Sequence, residues 1–203
     1  MSLRALGWAL LGCLAALAVA GCQAASHLAG EVDPRGRPAE QAYREVLDRY
    51  LVEKKDHTET VLNLMVTALP LNWPVRQAQV GRLAAAFLLE PAQKEEKLAG
   101  QREDFAKYDA VVVSFYTAEK SWNRLAGFQS PWRVFLSGPV GRVAPADIRR
   151  ISEKNPQNEA LYPFWGQWSD LYILRFPKTG DPAPTTLVVT GPAGRVELPL
   201  ELR

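Results

Sequence analysis

Two hydrophobic periods alternate along the chain. From Pro38 to Lys55, Ala39, Ala42, Tyr43, Val46, Tyr50 and Leu51 recur every three or four positions opposite Glu40, Arg44, Asp48 and Glu53. That spacing predicts an amphipathic helix over about 38–55, opened by a proline in its first turn and packed through Tyr43, Val46 and Tyr50. Thr58 to Leu69, rich in Thr, Val and Leu, changes period, with Val61, Asn63, Met65 and Thr67 alternating with Leu62, Leu64, Val66 and Ala68, and predicts a strand over 58–69 with one strongly apolar face that Pro70 and Pro74 close. Helical spacing returns through Val80, Leu83, Ala84, Phe87 and Leu88 and continues past an interruption at Pro91, giving helix over about 75–107. Its second part carries Lys94, Glu95, Glu96, Lys97, Arg102, Glu103 and Asp104. Alternating signs at that spacing read as a solvated face with internal ion pairs.

The second half is written mostly in strand period. Asp109 to Ala118 is the most continuous apolar run, and the patterns at 131–137, 170–176, 185–190 and 195–202 predict four further strands. Pro145 to Lys154 reads as a short helix with Ile148 and Ile151 inward. Gly191-Pro-Ala-Gly194 between two alternating runs is a hairpin signal. Six strands without regular strand-helix-strand alternation predict an antiparallel β-sandwich with inserted helices, immunoglobulin-like at most in architecture. The alternative is an α+β antiparallel sheet layered with helices.

The N-terminal end has a different character. Arg4 is followed by an uncharged apolar stretch, Leu6 to Ala20, that ends in Leu17-Ala18-Val19-Ala20-Gly21-Cys22. The stretch is shorter than the roughly twenty residues of a membrane span. With its small residues before a cysteine it resembles the signal peptide and lipobox of bacterial lipoproteins. The resemblance implies cleavage after Gly21 and a diacylglycerol on Cys22, so that residues 1–21 are removed and the chain is held to a membrane of the cell envelope. Gln23, where an aspartate would imply retention in the inner membrane, favours the outer one. Residues 22–37, small and polar with prolines and glycines, read as a flexible tether that includes His27, leaving 38–203 as one globular domain.

Cleavage removes Cys13 and acylation caps Cys22, so the folded part is expected to lack a disulfide and a free thiol. Hydrophobic residues at 47% and charged ones at 23% are ordinary globular values, and a net charge of +2 gives no electrostatic case for nucleic acid. No cofactor or metal is expected. Zinc would need clustered His and Cys, calcium a denser acidic loop than Asp181-Pro-Ala-Pro, and phosphate a Lys-Ser pair that Gly138-Pro-Val-Gly and Gly191-Pro-Ala-Gly lack. His57 would need Ser114, Ser121 or Ser137 beside it to form a catalytic triad, and none of these serines sits in a Gly-x-Ser-x-Gly elbow.

What remains is aromatic. Tyr162, Phe164, Trp165, Trp168 and Tyr172 form one cluster, and Trp122, Phe128 and Trp132 another. Large rigid faces with polar tips serve sugar rings and protein contacts, although they serve equally to plug a sandwich end. The expectation is a membrane-anchored, non-catalytic binding or assembly module with an envelope protein or glycan as partner. Two alternatives stand beside it: a cell-wall glycan hydrolase drawing on Asp104, Asp109, Glu119 or Asp170, and a carrier of an apolar ligand between the sheets.

Overall fold

In a computed structural model the described residues are 36–139, 141–151, 155–179 and 185–203. Cys22, the signal segment, nearly all of the tether and the Asp181 loop lie outside them. The elements run α1 (Gly36–Tyr50), β1 (Val52–Thr58), β2 (Val61–Pro70), α2 (Trp73–Ala86), α3 (Pro91–Lys107), β3 (Tyr108–Thr117), a 3-10 turn (Lys120–Trp122), β4 (Arg133–Gly138), β5 (Gly141–Val143), β6 (Asp147–Arg150), α4 (Pro156–Leu161), β7 (Asp170–Pro177), β8 (Thr186–Gly191) and β9 (Gly194–Pro199).

The strands form two antiparallel sheets, β1-β2-β3-β7-β6 and β5-β4-β8-β9. Alternation places Leu64, Val66, Val111, Val113, Leu174 and Phe176 of the first sheet against Leu136, Leu187, Val189 and Leu198 of the second. The residues between them, Ala110, Val112 and Leu171, face the other way and meet Tyr43, Leu47, Tyr50, Val75 and Leu161 of the helices. Covered on both faces, β3 has no solvent side to declare, which is why its sequence is a continuous apolar run. The result is a β-sandwich with a helical layer on its five-stranded sheet.

Four short segments depart from the sequence pattern, one of them the helix α4, where a loop was expected. Residues 145–154 were expected as helix; instead Asp147–Arg150 is an edge strand paired with β7, Ile148 opposite Leu174. A spacing of three puts Ile148 and Ile151 on one side of a helix but on opposite sides of a strand. The two side chains do pack into different cores, Ile148 between the sheets and Ile151 under the helices. The first helix stops at Tyr50 rather than Lys55, because Val-Glu-Lys-Lys-Asp-His-Thr pairs with β2 as an edge strand. Sheet pairing there overrides a good local helix propensity. Together with the three-residue β5, these two edge strands bring the strands among the described residues to nine. Both edges of the larger sheet carry exposed charge, Lys54 and Lys55 on β1 and Arg149 and Arg150 on β6.

At the β8–β9 hairpin Gly191 pairs with Gly194. Gly194 has φ +135°, a backbone that favours glycine, and a Cβ there would stand 1.9 Å from the Asp56 carboxylate of β1 and displace it. The helical layer is fixed by polar contacts. Asn72 caps α2 by accepting from the Val75 amide at 3.1 Å, and its own Nδ2 donates to the Glu201 carbonyl at 2.9 Å. Helices α2 and α3 form a hairpin whose base is clamped by Arg76, Trp73 and Phe105.

Under the helices, the Tyr43 hydroxyl donates to the Leu161 carbonyl. Burial pushes the Tyr162 hydroxyl up to about 12 and lifts Tyr43 further above the usual phenol value. Unfolded tyrosine ionises near pH ~10, so above that pH the folded state holds more protons than the unfolded one. Stability contributed by these two groups is therefore whole below pH ~10 and is lost as pH rises through their folded values. Urea midpoints measured from neutral pH upward should fall in that alkaline window. A Tyr43→Phe/Tyr162→Phe protein should show a shallower fall.

Candidate functional site

The aromatic residues singled out in the sequence divide into three groups. Trp132 and Tyr172 belong to the core between the sheets, and Tyr162, Phe164 and Trp165 to the core under the helices. Trp168 at 74% exposure, Trp122 at 37% and Phe128 reach solvent. The buried members hold the exposed ones in place. Trp132 donates its indole N–H to the Trp122 carbonyl at 2.7 Å, and the Tyr172 hydroxyl accepts from the Leu125 amide at 3.3 Å, so the loop after β3 is tied to the core at two points. Trp165 donates to the Ser169 carbonyl at 2.8 Å, while the Ser169 hydroxyl donates to the Gly166 carbonyl and accepts from Ser114, both at 2.9 Å. These bonds close the 162–169 loop beneath Trp168.

Between the two loops, where β3 ends and β7 begins, lies an open cleft of about 610 Å³ walled by Tyr116, Lys120, Asn123, Arg150, Trp168 and Asp170. A hollow of about 340 Å³ beside Trp165 shares Gln167 with it. Another, of about 300 Å³ beside Trp122, shares Ala118. The two smaller hollows thus flank the cleft, and each of the three has a tryptophan in its wall. The space between the sheets is filled instead by the side chains of the core.

Lys120, Asn123 and Arg150 had no signal of their own in the sequence. Arg150 arrives through the β6–β7 pairing, opposite Tyr172, from a segment whose spacing reads as helical.

The four candidate carboxylates are all engaged. Asp104 accepts from Arg76 at 2.8 Å and from Arg175 at 3.1 Å, and the buried Asp109 lies 3.2 Å from Arg203. Asp170, which lines the cleft, is paired with Arg150. Glu119, beside the Trp122 hollow, accepts from the hydroxyl and amide of Ser121, which hold its carboxyl below the usual range. That direction is the reverse of what a general acid for glycoside cleavage needs.

Of the three serines considered with His57, the buried Ser114 bonds Ser169 and Ser121 bonds Glu119. Ser137 lies on the other sheet, in β4, and none of the three hydrogen-bonds His57 among the described residues. Among those residues no cluster of three or more His, Cys, Asp or Glu side chains is placed to hold a metal ion. None of their helices is long and apolar enough to cross a membrane. Searches of known protein families, curated proteins and solved structures found nothing that matches the chain.

Proposed function

We propose that the protein is a lipid-anchored lipoprotein of the bacterial cell envelope, facing the periplasm from the outer membrane, and that its sandwich is a non-catalytic module that binds cell-wall glycan. The observation that carries this reading is the groove: three adjoining hollows, each with a tryptophan, at one end of the domain. An indole face stacks on the apolar face of a sugar ring, and Lys120, Asn123 and Gln167 offer the few polar groups that orient one. A groove of several hollows suits a polymer better than a single small ring. The lipobox-like Leu17 to Cys22 supports the anchor, since one diacylated residue would keep the domain beside a bilayer without a spanning helix.

Purified cell-wall glycan is expected to pull down the protein and to quench its indole fluorescence on titration. Trp168→Ala should weaken that binding about tenfold, the value of one well-placed aromatic contact. Its exposure means the thermal midpoint should stay within a degree or two of the parent, because surface changes cost about 0.5 kcal/mol or less. Equal affinity of parent and variant would remove the groove from consideration. Release of soluble fragments from the glycan would replace the binding module with a hydrolase.

A further inference from the structure

The tip of the α2–α3 hairpin exposes two large apolar side chains. Phe87 is 49% exposed and Leu88 65%, side by side at the point where α2 ends. Leu88 adopts φ +49°, a left-handed position that usually falls to glycine after a helix. The turn is nevertheless well formed. The Leu89 amide donates to the Ala84 carbonyl at 2.9 Å, and the Glu90 amide to the Gln93 side chain at 3.0 Å. Two large apolar side chains are thus held outward on a fixed corner, one of them against its backbone preference.

The corner lies close to where the chain enters the domain. Glu40, in the first turns of α1, forms a 2.6 Å ion pair with Arg82, whose guanidinium also sits 5.1 Å over the Tyr43 ring. From Arg82 to the end of α2 at Ala86 is about 6 Å along the helix, and Phe87 and Leu88 follow directly. Thirteen residues separate Cys22 from Gly36. Fully extended they reach at most about 50 Å, and as a coil about 20 Å. A lipid on Cys22 would therefore leave this corner within reach of the membrane surface.

We infer that Phe87 and Leu88 form a docking corner that inserts into the surface of the bilayer holding the anchored chain. The inference rests on Cys22 carrying the lipid. The occupant it names is the bilayer, because the corner adjoins the entry point of the tether. Docking there makes the membrane a second contact for the domain and sets its orientation, whereas a tether alone leaves the domain free to tumble. A diacyl anchor already retains the protein on the membrane, so docking is read from orientation and depth rather than from partitioning.

The test uses the acylated full-length protein, with Ala86→Cys carrying an environment-sensitive fluorophore, in phosphatidylcholine vesicles that contain a bromine-bearing lipid. With Phe87 and Leu88 in place, emission should shift to the blue and be quenched by the brominated lipid. In a Phe87→Ser/Leu88→Gly background the quenching should drop to the level seen for a Lys120→Cys label. That variant should fold at least as well, because glycine accepts the left-handed backbone at no steric cost. A chain that floats with the vesicles while the label at position 86 stays in water overturns the docking and leaves the anchor standing. A chain that does not float, with a Cys22 thiol open to alkylation, overturns both.

Discussion

Trp132→Ala is expected to lower the unfolding free energy by about 3–5 kcal/mol, the usual cost of removing a large aromatic from a core. Three contacts would go at once. The ring meets Phe115 edge to face at 5.0 Å, and it lies so close to the β8–β9 hairpin that a Cβ on Gly191 would stand 2.5 Å from it. Its N–H satisfies the Trp122 carbonyl. Trp132→Phe keeps most of the burial and loses that bond, so it should cost less, about 1–2 kcal/mol. Urea unfolding followed by far-ultraviolet circular dichroism would measure both, with the denaturant slope unchanged if only stability has moved. The Phe variant also bears on the groove: with the Trp122 loop released at one of its two ties, the proposed glycan binding should weaken while the protein stays folded.

Arg76→Ala should be of similar size, about 3–5 kcal/mol, the range measured when one member of a buried ion pair is removed. Arg76 is only 1% exposed, yet every part of its guanidinium is used. Nε donates to the Leu71 carbonyl at 2.7 Å, one terminal nitrogen to Gln101 at 2.6 Å and the other to Asp104 at 2.8 Å. Burial draws its pKa down and the Asp104 carboxylate opposes that shift, so the group remains a cation. A lysine cannot reproduce the fork, and Arg76→Lys should still lose about 2 kcal/mol. Crossing Arg76→Ala with Asp104→Asn in a double-mutant cycle should return a coupling of about 1–3 kcal/mol, reduced because Arg175 also holds Asp104. Additivity of the two changes would refute the clamp.

The elements that could be read from the sequence are those whose pattern matches their burial. The Tyr43, Val46, Tyr50 stripe, the apolar run of β3 and the glycine-bounded hairpin each carry a local signature that the fold uses as written. The segments that misled are edge strands. β1 and β6 contribute little to either core, so their composition is set by solvent and reads as charged helix, and only pairing with a neighbour makes them strands. The groove was half legible for a related reason. An aromatic cluster announces itself in sequence, but whether Trp132 lies inside and Trp168 outside depends on which loop folds over which strand. Lys120 and Arg150 meet at the cleft from segments thirty residues apart, and no local spacing records that.

The charged rims of the larger sheet bear on the anchoring proposed for the chain. Molecules held to a membrane are confined to two dimensions and collide far more often than the same number dispersed in the periplasm. Bare strand borders meeting at that frequency would zip into ribbons. Charged side chains, Glu53, Lys54 and Lys55 on one border and Asp147, Arg149 and Arg150 on the other, would each have to be desolvated by an added strand, which under the proposed anchoring should let a dense carpet of this protein remain a population of separate molecules.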